Sequence, residues 1–162
     1  MKAFLDHIRS KITADLPEIK TVRKYREQFI AANKDYNDTP FRYPCIFVEF
    51  VPTEYFNYNQ YRDVDIIVRF HVGVENYMIE KDEDMDLINK IDRSFYRWRG
   101  NEGDDVHFTT FEKIVETDEP NDDNVNIQIV EFKTRYREID SIDSDFVEVK
   151  PVDLDLTGEI KE

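Results

Sequence analysis

One stretch, Arg62 to Glu75, constrains what this chain can fold into more than any other. Val64, Ile66, Val68, Phe70, Val72 and Val74 fall on one parity. Asp65, Arg69, His71 and Glu75 fall on the other, with Ile67 the apolar exception and Gly73 the residue without a side chain. A period of two places alternate residues on opposite faces of a pleated strand. The β-branched residues that dominate the apolar parity suit a half-buried sheet. The stretch therefore predicts a long central strand of an antiparallel sheet, with an apolar face that other elements must cover and a wet face that leaves His71 at the surface.

The rest of the chain supplies candidates for the cover. Phe4, Leu5, Ile8, Ile12 and Leu16 form one stripe at helical spacing, and Pro17 stops it, so residues 3–16 read as a helix. Ile88, Ile91, Phe95 and Trp98 form a second stripe, so residues 82–99 read as another. Acidic residues crowd its start and Arg93, Arg97 and Arg99 its end, as the helix dipole favours, with Gly100 as the expected C-terminal cap. Residues 19–25 read as a short edge strand, 43–51 as a strand ended by Pro52, and 107–116 with 125–138 as a strand pair. The last strand switches parity between Ile129 and Val130, which predicts a β-bulge near Ile129. The fold class is α+β: an antiparallel sheet of four to five strands, two helices packed on one face, and an extended C-terminal arm. Residues 1–138 form the α+β domain and 139–162 the acidic arm.

Charge and composition narrow the functional classes. The chain has 162 residues, enough for one domain with its own core, and carries a formal net charge of −14. Such a surface repels nucleic-acid phosphates. A single cysteine, Cys45, lies in an apolar run and reads as a small buried hydrophobe. The N-terminal segment turns polar too soon for a signal peptide, and no apolar run approaches the length of a membrane span. The expectation is a protein with no membrane association.

The residues that could carry chemistry do not converge in sequence. Asp82, Asp84 and Asp86 mimic the start of a calcium loop, but Leu87 stands where glycine is needed and Arg93 where glutamate is needed. Asp65, His71 and Glu75 share a strand face but spread along about 33 Å of extended chain, too far for one metal ion. No serine sits on a glycine-flanked turn, and the glycines do not form a phosphate-cradling loop. No catalytic residue, metal or cofactor is expected, and the chain is not read as an enzyme.

Two features look adhesive instead. The connection leading into the central strand, residues 54–61, holds Tyr55, Phe56, Tyr58 and Tyr61 and no charge after Glu54. Aromatic side chains offer large contact area at low entropic cost, which suits a protein interface; the alternative is a tip that folds back and buries its own rings. The arm carries Phe146, Val149, Leu154 and Leu156 spaced by acids, with two lysines against eight acidic residues, a net of −6. It is too apolar for a purely solvated tail and is expected to dock on its own domain or on a neighbour.

In order, a helix at Phe4 to Leu16, a strand at 19–25 and the run Tyr43-Pro44-Cys45-Ile46-Phe47-Val48 lead through a hairpin into Asp63-Val64-Asp65-Ile66-Ile67-Val68-Arg69-Phe70-His71-Val72. A helix at 87–98 and a closing strand pair follow. Over residues 1–138 this order resembles the tail-terminator and head–tail joining (neck ring) proteins of tailed bacteriophages. The arm from residue 139 is not part of that pattern. The resemblance implies a structural virion protein of the tail or neck, made in the host cytoplasm. It implies a homo-oligomeric ring, contacts to neighbouring tail or neck proteins, and DNA only as passing cargo. Two other readings compete. An acidic inhibitor that mimics DNA would bind a basic partner as a monomer or dimer. An enzyme would need a pocket joining His71 or His107 to several carboxylates.

Overall fold

The computed structural model describes residues 1–29, 41–58, 61–75, 82–100, 106–119 and 125–138. The expected arm, residues 139–162, therefore lies outside the described residues, as do the turn at 120–124 and the loop at 101–105. The elements run α1 (Lys2–Asp15), β1 (Thr21–Lys24), β2 (Cys45–Asn57), β3 (Arg62–Glu75), α2 (Glu83–Phe95), β4 (His107–Phe108), β5 (Glu112–Glu119) and β6 (Val125–Glu138). The α+β class is as the sequence predicts. The sheet is mixed rather than antiparallel and has six strands rather than four to five, in the order β1-β2-β3-β6-β4, with β5 also on β6.

The central position of β3 holds. It pairs antiparallel with β2 on one side and with β6 on the other. Its even-numbered residues, Val64 to Val74, are buried, and Ile66 to Val74 share one core with Phe4, Leu5, Ile8 and Ile12 of α1 and Leu87, Ile88, Ile91 and Phe95 of α2. Aromatic contacts fix each helix. Phe4 stacks on Tyr136 of β6 at 4.8 Å and on Phe50 of β2 at 5.5 Å. Phe95 meets Phe70 of β3 edge-on at 4.8 Å. Polar contacts tie α2 to α1 and to the turn after it, with Ser94 donating to Asp15 at 2.7 Å and Lys90 pairing with Glu18 at 2.8 Å.

Four local expectations are corrected. First, β1 is an edge strand, as read, but pairs parallel to β2, Thr21 opposite Cys45 through Lys24 opposite Val48. The connection of residues 25–44 is long enough for the crossover that a parallel pair needs. Second, the strand expected at 107–116 breaks into β4 and β5. Between them Thr109 bonds the backbone of Arg135, and Phe111 turns into the core while its N–H donates to Trp98 O at 2.8 Å. Third, Pro52 shifts the β2–β3 register but does not end the pairing, which resumes at Glu54. Fourth, α2 ends at Phe95, before Gly100. Arg97 takes the left-handed backbone conformation after it, at φ 56°. Gly100 answers a different need, since a Cβ there would lie 2.8 Å from Val106 O.

The bulge expected at Ile129 is absent. β6 pairs with β3 in unbroken register from Val125 opposite Glu75 to Glu138 opposite Arg62. The parity switch has another cause. Ile127 and Ile129 lie opposite Gly73 and His71 on the odd-numbered face, which is also dry at that end. Tyr25 stacks on His71 at 3.7 Å, and Phe29 and Phe41 meet Phe47 at 5.0 and 5.1 Å. His71 is 2% exposed, so the expected surface histidine is buried. Cys45 shares this region, fully buried, as read from sequence.

Two measurements test this packing. Phe70→Ala is expected to cost about 3–5 kcal/mol in urea unfolding, as for other fully buried phenylalanines. Burial pushes the Cys45 thiol up to about 12. A thiol-reactive dye should therefore leave native protein unlabelled at neutral pH and react only above the unfolding midpoint.

Candidate functional site

The aromatic connection of residues 54–61 is not a loop over most of its length. β2 continues to Asn57, β3 begins at Arg62, and the tip closes with the Tyr58 N–H donating to Tyr61 O at 2.9 Å. The register shift after Pro52 leaves Thr53 as the extra residue, and its hydroxyl donates to Asp65 O at 3.0 Å. A bulge of this kind re-aims the strand beyond it. Past the shift, Tyr55 lies opposite Val64 and Phe56 opposite Asp63. The four rings therefore divide between the two faces and the tip.

Phe56 and Tyr61 are partly buried and act as platforms. Arg135 and Arg137 on β6 lie directly opposite Asp65 and Asp63 on β3. Each arginine grips its aspartate with two nitrogens: Arg135 to Asp65 at 2.6 and 3.1 Å, and Arg137 to Asp63 at 2.8 and 3.1 Å. The guanidinium of Arg135 lies 4.4 Å from the centre of the Phe56 ring, and that of Arg137 lies 3.9 Å from the centre of Tyr61. Planar guanidinium groups suit this double use, forking onto a carboxylate while stacking on a ring. Three strands are thus clamped beside the tip of the hairpin. The Arg135 hydrogen bond holds the Asp65 carboxyl below its usual range, against a smaller opposing effect of burial.

Tyr55 and Tyr58 are not platforms of this kind. They are 53% and 50% exposed, although Tyr58 packs on Tyr61 at 4.6 Å and Arg62 lies 5.3 Å from the Tyr55 ring. Of the four candidate rings, two are braces and two are presented to solvent. Phe146, Val149, Leu154 and Leu156, the other candidate contacts, lie outside the described residues.

Further along the odd face the ladder continues. Arg69 donates to Glu131 at 2.6 Å and to Glu49 at 2.9 Å, and His71 Nε2 lies 3.0 Å from the same Glu49 oxygen. Burial raises the affinity of Glu49 for a proton, but the hydrogen bonds from His71 and Arg69 outweigh it and the carboxyl stays below its usual range. The network therefore joins β2, β3 and β6 beside the ring of Tyr25. Asp65 and Glu75, which share the strand face with His71, do not converge on it. Asp65 belongs to Arg135, and Glu75 stands at the far end of β3. His7 stacks on Trp98 at 5.3 Å, and His107 is exposed on β4. Among the described residues no group of three or more His, Cys, Asp or Glu is placed to hold a metal ion, and no helix is long and apolar enough to cross a membrane.

Sequence reasoning missed the braces. Arg135 and Arg137 were visible only as the polar parity of a strand, and nothing local pairs them with Asp65 and Asp63. The usable signal was the alternation itself: two arginines two residues apart on β6 and two aspartates two residues apart on β3 are what a cross-strand charge ladder requires.

The ladder makes stability fall in acid. Asp65 and Glu49 have native pKa values depressed below the ordinary 3.8 and 4.5. Their contribution is present above the unfolded values and is lost as pH falls through the native ones. Urea midpoints should thus drop as pH is lowered below about 4.5, and Asp65→Asn should flatten that drop while lowering the midpoint at pH 7. Compared with known proteins, the chain matches no family model and no curated protein.

Proposed function

We propose that this chain is a structural, ring-forming subunit of a tailed-bacteriophage neck or tail, a tail terminator or head–tail connector, that surrounds a DNA channel. The observation that carries the reading is the β2–β3 hairpin. Its aromatic tip is clamped by two arginine–aspartate forks while Tyr55 and Tyr58 stay half exposed. Ordering such a segment before association lowers the entropic cost of binding. Ring closure needs one patch on each copy to meet a different patch on the next, and a rigid aromatic tip suits that geometry.

The charge supports the same reading. A net charge of −14 gives a surface that a polyanion slides past without sticking. In this proposal residues 1–138 form the ring body with α1 and α2 on one face of the sheet, and residues 139–162 form an extended arm beyond it. The subunit works without a cofactor and performs no catalysis. Its partners are other copies of itself and the neighbouring tail or neck proteins.

Self-association is the test. Sedimentation velocity across a concentration series, with negative-stain imaging of the largest species, should reveal closed rings. The double variant Tyr55→Ala, Tyr58→Ala should weaken assembly by about tenfold or more, as loss of interface aromatics does, with little change in the unfolding midpoint. A chain that stays monomeric at high concentration, and that instead binds a basic nucleic-acid-binding protein in a salt-sensitive way, would replace the ring by the acidic DNA-mimic reading.

A further inference from the structure

On the helix-covered face, where α1 begins, a groove of about 400 Å³ opens between α1, the end of β1 and the β2–β3 hairpin. That is within the size range of cavities that proteins use to hold a bound group. Its apolar lining comes from Leu5, Phe50 and Tyr55, and three cations, Lys2, Lys24 and Arg62, stand around it. A basic rim is unexpected on a chain of net charge −14. Lys2 and Lys24 make no ion pair among the described residues. An apolar floor ringed by cations calls for a segment that is apolar and acidic at once.

The chain carries such a segment. Residues 139–162 have a net charge of −6 and contain Phe146, Val149, Val152, Leu154 and Leu156 among their acids. Val152-Asp153-Leu154-Asp155-Leu156 alternates with a period of two, so an extended backbone would turn three apolar side chains to one side and two carboxylates to the other. The register of β6 fixes where this segment starts. β6 ends at Glu138, directly opposite Arg62, and Arg62 is part of the groove. Neighbouring strands are about 4.8 Å apart, so the near end of the groove, at Arg62 and Tyr55, lies within about 12 Å of that exit, while its far end at Lys24 is level with Phe70, about 26 Å further along β3. The eight residues from Glu138 to Phe146 span up to about 26 Å at about 3.3 Å each.

We propose that the groove is the seat of the chain's own C-terminal arm, with apolar side chains between Phe146 and Leu156 on its floor and the arm's carboxylates against Lys2, Lys24 and Arg62. Tethering favours this occupant over an equal segment from another copy, because a short linker holds it at an effective concentration in the millimolar range. A seated arm covers the groove side of Tyr55 and leaves Tyr58 at the tip open to a neighbour. The inference does not depend on ring formation.

Photo-cross-linking in the full-length chain tests it. Tyr55 is replaced by p-benzoylphenylalanine, equal amounts of unlabelled and nitrogen-15-labelled chains are mixed and irradiated, and the linked peptides are identified by mass spectrometry. The expected product joins position 55 to a residue of the arm, with both halves carrying the same isotope. Its yield should fall about fivefold or more in about 1 M salt, where the screening length shrinks to about 3 Å. It should fall likewise in Lys2→Glu, Lys24→Glu chains and in Phe146→Ser, Val149→Ser chains. Links only within residues 1–138, or arm links of mixed isotope, would overturn the proposal. Sedimentation of the same sample reads ring formation separately, so a same-chain link in a monomer would leave the seat standing while the ring reading fell.

Discussion

Everything in this molecule depends on the pairing of β3 along both of its edges. Arg62 to Glu75 is matched residue for residue by β6, and Arg62 to Gly73 by β2 with one shift. Side chains alternate with a period of two, so a slip of one residue would carry Val64 to Val74 out of the core and force Asp63, Asp65 and Arg69 into it. Burying even one of those charges without its partner costs several kcal/mol, roughly as much as the net stability of a small domain can lose. The register is thus fixed from both faces at once: by hydrophobic burial beneath α1 and α2, and by the Asp–Arg forks on the other side.

The two faces divide the work. The even face makes the core, where Phe4 and Phe95 anchor the helices on Phe50, Phe70 and Tyr136. The odd face is graded along its length. It is dry and aromatic around Phe47 and His71, charged at Glu49, Arg69 and Glu131, and aromatic again where Arg135 and Arg137 stack on Phe56 and Tyr61. That last section gives the hairpin its stiffness. A segment that sequence alone presents as a sticky loop is a braced strand pair with two tyrosines left in solvent.

Legibility followed periodicity. The stripes of α1 and α2 and the alternation of β3 are local patterns whose cause is burial on one face, and they read correctly. The errors arose where a second surface intervened. His71 occupies a polar parity, yet Tyr25 lies flat on it, and Tyr25 comes from a segment without apolar period. Ile127 and Ile129 looked like the far side of a bulge because a strand covered on one face at one end and on the other at its other end shifts parity without any kink. Gly100 looked like a helix cap because glycine tolerates the left-handed conformation. The helix instead ends earlier, with Arg97 in that conformation, and Gly100 is small because Val106 O comes too close for a side chain.

The sequence by itself determined the α+β class, the central strand, the two amphipathic helices, the buried cysteine and the aromatic character of the hairpin. Each of these is written in the spacing of apolar residues over one element, and burial of one face is enough to enforce it. Only the tertiary structure decided that β1 runs parallel to β2, that β4 and β5 divide one edge of β6, that His71 is dry, and that Asp63 and Asp65 belong to Arg137 and Arg135. These depend on which distant segments meet. Side-chain period within an element carries no information about the direction or identity of the strand beside it.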